Sequence, residues 1–455
     1  MDQFFLSPAA SRGLALLREA GHEAWVVGGC VRDMLLGQIP KDYDITTSAR
    51  PEETKAVFTG YSIIETGLRH GTVTVILDGE PLEITTYRVD GDYSDARHPD
   101  GVTFTCSLRE DAARRDFTMN AMAYAPGEGL QDFFGGQADI LDARIRAVGD
   151  PVRRFQEDAL RILRGLRFAS VLGFSLEEAT EAAARQEAGR LGQISAERVS
   201  AELGKLLTGR DAGRILRAYP DILGQILPEL LPMAGFNQRN VHHCYDILTH
   251  TAEAVNHVPP ELHLRLAMLL HDVGKPLCFS IGEDGQGHFY GHARESARLA
   301  GEILRRLRFP NQLREKVEIL VRYHDAVLEE DPRILRRWLN RLGEETFFNL
   351  ILIQRGDTAA LAPAYRGRAA HFERLEALAR EILAEEPCLQ VKDLAVNGRD
   401  LMALGLEGRE IGNALRFLLD QVLEGKLPNE RTCLLENLPE SCRGTPPDDR
   451  GKNGA

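Results

Sequence analysis

Two aspartates one residue apart, Asp42 and Asp44, follow shortly after a Gly-Gly turn at Gly28 and Gly29 and an arginine at Arg32. In an extended strand residues i and i+2 face the same side, so both carboxylates project together. Carboxylates this close repel each other unless a cation sits between them. A site with one or two carboxylates suits Mg²⁺, which completes its shell with water and substrate phosphates. The glycines let the backbone approach a phosphate, and Arg32 lies in the first turn of a helix expected over Val31–Leu36, where it can fork onto an anion. The set matches neither the dinucleotide fingerprint nor the P-loop, so this is phosphate chemistry of another kind.

A second group of charges lies more than a hundred residues later. Asp158 and Arg161 stand at i and i+3, on one face if the segment is helical, with Arg164 and then Arg167 beyond. Cytosine and adenine each present an exocyclic amine beside a ring-nitrogen acceptor, whereas guanine and uracil present a carbonyl beside an N–H. An aspartate accepting from the amine and an arginine donating to the ring nitrogen fit C and A and leave unpaired groups against G and U. A third group is rich in histidine: nine of the thirteen histidines lie between His242 and His324. His250, His271 with Asp272, His292 and His324 fall on expected helices, and imidazole with carboxylate suits a transition metal.

These groups need several units to hold them. The chain has 455 residues, enough for three or four packed units at roughly 100–200 residues each. Short β-rich runs (Ala24–Val27, Tyr43–Thr46, Thr72–Leu77, Leu82–Tyr87, Val102–Phe104) alternate with helical stretches such as Pro8–Ala20 up to about residue 145. Breakers at Gly149, Asp150 and Pro151 follow, and the periodicity beyond is almost wholly helical. The expected fold class is α+β, with a mixed-sheet head followed by helical units. The net charge of −13 disfavours indiscriminate polyanion binding, but Arg114, Arg115, Arg153, Arg154, Arg161, Arg164 and Arg167 form a local basic cluster. Seven scattered cysteines with no Cys-x-x-Cys pair argue against disulfides and thiolate zinc sites. No apolar run long enough for a membrane span and no secretory leader is visible, so the expected location is cytoplasmic.

The stretch GGCVRDMLLGQIPKDYDITTSA resembles the active-site signature of the polymerase beta-like nucleotidyltransferase superfamily, in the class II branch that holds CCA-adding enzymes and bacterial poly(A) polymerases. By that resemblance Asp42 and Asp44 bind Mg²⁺ and carry catalysis, and Glu83 is a candidate third carboxylate. RRDFTMNAMAY resembles the branch's second motif, which implies that Arg115 and Asp116 contact the sugar and phosphates. Glu157, Asp158 and Arg161 match its Glu-Asp-x-x-Arg motif for CTP and ATP selection. Glu197, Arg198 and Glu202 match a neck motif and read as structural. Tyr87–Phe104, rich in Gly, Asp and Pro, is expected to be a mobile loop, and its family counterpart helps switch from C to A addition. His271–Asp272 resembles the signature of HD phosphohydrolases, whose last ligand would be Asp357 here.

The resemblance implies a nucleotidyltransferase head at 1–145, a base-recognising neck at 146–230, an HD body at 231–365, a tRNA-binding tail at 366–440 and a disordered end at 441–455. The expected activity is untemplated addition of C, C and A to tRNA from CTP and ATP with release of pyrophosphate. The alternatives are a poly(A) polymerase, a partial CC- or A-adding enzyme, or an HD phosphohydrolase with a nucleotide-sensing head.

Overall fold

A computed structural model of the chain describes residues 4–91, 101–283, 285–385 and 388–438. The fold is α+β. The helix Pro8–Glu19 starts where the Ser7 side chain accepts the Ala10 N–H and Pro8 presets the first turn. It lays Leu14 and Leu17 against the sheet. The head strands run in chain order as β1 Ala24–Val27, β2 Asp44–Thr47, β3 Ser62–Ile64, β4 Thr72–Leu77, β5 Glu80–Thr86, β6 Arg88–Asp90, β7 Val102–Phe104, β8 Met122–Ala125 and β9 Gly129–Asp132. Seven of them form one sheet in the order β3-β4-β5-β2-β1-β8-β9.

The register of this sheet assembles the first chemical group. β1 and β2 are antiparallel with Val27 opposite Asp44, so the end of β1 and the start of β2 meet at one edge. The Gly28 turn leaves from that same edge. β5 runs parallel to β2 with Glu83 opposite Asp44, and β8 flanks β1 with Ala123 opposite Val27. Tyr43 is buried between exposed Asp42 and Asp44, the alternation that the i, i+2 spacing requires.

The remaining strands are short. β10 Arg144–Ile145 pairs in parallel with β11 Ser175–Leu176, tying the head to the helices that follow. Phe117 is fully buried beneath this junction and meets Phe168 edge-on at 5.9 Å. A ring buried so completely contributes roughly 1.5–3 kcal/mol. Gly165 admits it, because a β-carbon there would lie 3.1 Å from the Phe117 ring. Among the described residues the main apolar core runs from Ala9 to Ile382, two small clusters lie around Trp25 and Tyr87 and around Ala112 and Val148, and another core lies within the segment from Cys388 to Leu438.

The segment Tyr87–Phe104, expected to be a mobile loop, has strand flanks: β6 and β7 pair antiparallel, while 92–100 lie outside the described residues. The expected disordered end at 441–455 also lies outside them. No helix among the described residues is long and apolar enough to cross a membrane.

Candidate active site

The β1–β2 edge, the segment Arg114–Asn120 and the helix Leu160–Leu172 enclose a cleft of about 440 Å³. Gly28, Gly29, Arg32, Asp44, Arg115, Asp116, Asp158, Arg161, Arg164 and Arg167 all line it. Asp42 and Glu157 do not. Asp42 is exposed beside the cleft, where its charge still acts on Asp44, and Glu157 faces a neighbouring cavity with Arg153 and Arg154.

Asp44 opens onto the cleft, yet the surrounding protein removes water from it. That desolvation, with repulsion from Glu83 and Asp42, outweighs the help of Arg115 and raises its pKa to about 6. A carboxylate so placed is short of positive charge, which fits a cation ligand. Gly28 has φ +79°, and a β-carbon on it would sit 2.9 Å from Arg115 Nη1. The turn therefore needs glycine for both backbone conformation and space. The following helix begins at Gly29, two residues earlier than expected. Arg32 does not stand open for an anion: it donates to Asp33 at 2.7 Å and, through Nη1, to Asn120 Oδ1 at 2.8 Å.

Asn120 also donates to Asp116 at 3.1 Å, linking the two motifs. Burial disfavours charge on Asp116, but Arg164, Asn120 and the Phe117 N–H outweigh it and hold its carboxyl well below the usual range. Arg164 reaches Asp116 from the neck helix at 2.6 Å. Arg32, Arg164 and Arg167 all lie over the Phe168 ring, Arg167 closest at 3.9 Å, a cation–π platform that gathers positive charge on one wall.

The structure corrects the helical placement of the base-reading pair. Asp158 is not on a helix: it sits extended (φ −146°, ψ 103°) at the break between the helices Pro151–Glu157 and Leu160–Leu172. It stays one turn from Arg161 because the Arg161 N–H donates to the Asp158 carbonyl at 3.0 Å. Asp158 Oδ1 accepts the Leu160 N–H, and Oδ2 accepts from Arg198 at 2.6 Å. Arg161 donates to Glu157, the Arg154 carbonyl and the Arg114 carbonyl. Those bonds use three of its five N–H groups. Glu157 thus positions Arg161 and does not face the cleft.

Arg114, Asn120, Leu160, Phe168 and Arg198 also line the cleft and were missed as site residues. Asn120 lay inside the quoted RRDFTMN segment, and Phe168 stands four residues after Arg164 on one helix face. Arg198 carried no such local signal, being forty residues from its partner.

The histidine group also assembles. His250 lies on the helix Ile247–Asn256, His271 caps Leu262–Leu270, His292 opens His292–Arg306, His324 ends Asn311–Tyr323 and Asp357 lies on Glu344–Ala359. Two sets of potential ligand atoms result, His250/His271/Asp272 and Asp272/His292/His324, sharing Asp272. Asp357 Oδ1 lies 2.8 Å from His250 Nε2 and 3.5 Å from His271 Nε2. His271 Nε2 and both Asp272 oxygens are buried without a hydrogen bond. Lys275 Nζ is 2.7 Å from Asp272 Oδ2, close enough for an ion pair but not aligned as a donor. Burial works against a charged His271, yet Asp272 and Asp357 raise its pKa to about 10.

A glycine turn and carboxylates at the ends of central strands of a mixed sheet, facing arginines from the helix Leu160–Leu172, form a cleft suited to a phosphate-bearing ligand. Residues 24–146 match the family model of the poly A polymerase head domain. Residues 173–233 match a probable RNA and SrmB-binding site of polymerase A, and residues 294–438 a putative tRNA nucleotidyltransferase domain 2. The CCA-adding enzyme of Lactobacillus helveticus is 34% identical over 417 residues, covering 91% of this chain and 92% of that one. That of Bacillus licheniformis is 33% identical over 97% of this chain and 99% of its own. The Bacillus stearothermophilus CCA-adding enzyme, solved in complex with CTP, is 31% identical with a TM-score of 0.73, covering 95% of this chain and 98% of that one. The chain belongs to the CCA-adding enzyme family.

Proposed function

We propose that the cleft joins C, C and A to the 3′ end of tRNA in the cytoplasm, using CTP and ATP and releasing pyrophosphate. The observation that carries this is the convergence of Asp44, from a sheet edge, and Asp158 with Arg161, from a helix break over a hundred residues later, on one cleft. Gly28 and Gly29 seat the triphosphate, with Arg115 beside them. Asp116 and Arg164 fix the sugar and phosphate side, and Arg32 acts through Asn120. Asp158 accepts from the exocyclic amine, while the two uncommitted N–H groups of Arg161 donate toward the ring nitrogen, which excludes uracil and guanine. Asp44 with Asp42, and Glu83 in register beside them, would hold Mg²⁺, which offsets charge at the α-phosphorus and favours in-line attack by the RNA 3′-hydroxyl. The units proposed for these roles are the head to residue 145, the neck to 230, the body to 365 and the tail to 440.

The test is incubation with Mg²⁺, tRNA lacking its 3′ end, and CTP or ATP singly and together, followed by sequencing of the products. Ordered C, C, A is expected. Runs of A would make the enzyme a poly(A) polymerase, CC or A alone a partial one, and no incorporation would refute the reading.

A second reading is favoured by the unpaired buried atoms of Asp272 and His271. His250, His271, Asp272, His292, His324 and Asp357 fit a transition metal, as in HD phosphohydrolases, and a metal there would activate water against a phosphoester.

A further inference from the structure

Asp158 can discriminate between bases only if its carboxylate points in a fixed direction, and its backbone does not ensure that. The residue lies in an extended conformation between two helices, so no helical turn constrains its side chain. Two contacts do. The Leu160 N–H occupies Oδ1 at 3.0 Å, and Arg198 Nη2 occupies Oδ2 at 2.6 Å.

Arg198 stands in the first turn of the helix Ala196–Leu207, which packs along Leu160–Leu172, and it lines the same cleft as Asp158. Both side chains are largely buried. The second terminal nitrogen of Arg198, Nη1, is buried with no hydrogen-bond partner. Arg167 Nε and Arg265 Nη1 are also buried without a partner, but of the three arginines only Arg198 bonds Asp158 as well, and unmet buried donors are costly. An open donor in the wall of a ligand cleft is matched when the ligand arrives. Arg164 and Arg167 line the cleft as well, but Arg164 is engaged by Asp116 and Arg167 faces Glu202, so neither bonds the Asp158 carboxylate.

We propose that Arg198 is a specificity-determining positioning residue: it fixes the Asp158 carboxylate as an oriented acceptor for the exocyclic amine of C or A, and its second nitrogen completes its bonding when a nucleotide fills the cleft. This rests on the reading of Asp158 as the base-selecting acceptor. It moves Arg198 from the structural role its motif suggested to the selection step itself. A guanidinium suits the task because its planar fork fixes direction as well as charge, which an ammonium does not.

The experiment measures single-nucleotide addition to tRNA lacking its 3′ end, with kcat and KM for CTP, UTP, ATP and GTP, on the wild type, Arg198→Met, Arg198→Lys, Asp158→Ala and the Arg198→Met/Asp158→Ala double variant. Thermal melts of each accompany it. Asp158→Ala is expected to lose most discrimination against UTP and GTP. Arg198→Met should lower the CTP-over-UTP ratio of kcat/KM by about tenfold or more, which corresponds to about 1.4 kcal/mol, and raise KM for CTP. Arg198→Lys should recover part of that ratio, and the double variant should be no less selective than Asp158→Ala alone, because the two residues act as one unit. If Arg198→Met or Arg198→Lys lowered addition of all four nucleotides equally while Asp158→Ala lost selectivity, Arg198 would be structural and the proposal overturned. Unchanged selectivity in Asp158→Ala would instead remove the base-reading assignment on which the proposal stands.

Discussion

The cleft between head and neck and the histidine cluster of the body are both built from carboxylates and cationic or basic groups, but they are finished differently. In the cleft nearly every charge is already paired: Asp116 with Arg164, Arg161 with Glu157, Asp158 with Arg198, Arg32 with Asp33. These pairs line the cleft wall and are largely buried, so each holds its partner in a fixed direction toward an arriving nucleotide. In the body Asp272 and His271 are buried with polar atoms that make no hydrogen bond, although Lys275 lies 2.7 Å from Asp272, and a bound cation would complete that arrangement. The cleft pairs its charges side chain to side chain, whereas the body leaves buried carboxylate and imidazole atoms without a hydrogen bond.

The largest effect that tests this contrast is at Asp44. Asp44→Ala should reduce nucleotide addition by at least ~10²-fold, the scale of losing a principal electrostatic stabiliser, while thermal stability holds or rises because Asp44 is repelled by Glu83 and Asp42. A large fall in melting temperature would show that Asp44 is a structural partner instead. Next is Asp272→Asn, which should abolish metal retention by the body after dialysis, read by elemental analysis, and leave nucleotide addition intact. Loss of both together would merge the two sites into one.

A smaller effect tests how much the cleft pairs stabilise the fold. Asp116 has a depressed carboxyl pKa in the folded state, so its stabilisation is present above the ordinary carboxylate range and fades as pH falls toward the folded value. Asp116→Asn should cost about 1–2 kcal/mol at neutral pH, less than a fully buried pair because Arg164 is a third exposed. Denaturant titration should show that difference shrinking below about pH 4. The smallest is Gly28→Ala, expected to cost about 1 kcal/mol for an alanine at φ +79° and to weaken CTP binding by crowding Arg115. Unchanged affinity would mean that the turn does not seat the triphosphate.

Much of this was legible before the fold. Asp42 and Asp44 alternate about buried Tyr43 as strand spacing demands, and β1, β4 and β7 match the expected runs to the residue, because runs of β-branched and aromatic residues are written locally. β3, β6, β8 and β9 were not expected, because pairing with neighbouring strands and not a local pattern makes them strands. The residues of the histidine cluster were also legible, since His271, His292 and His324 fall at ends of helices whose periodicity is plain.

The sequence by itself determined which residues could carry chemistry, because acid, base and metal-ligand character belong to the side chain. Only the tertiary structure decided which of those residues face one another. It placed Asp158 at a helix break instead of on a helix face, turned Glu157 away to brace Arg161, and brought Arg198 onto Asp158 from forty residues away. Helix packing and strand register set those distances, and both are summed over contacts between segments that no local window of sequence contains.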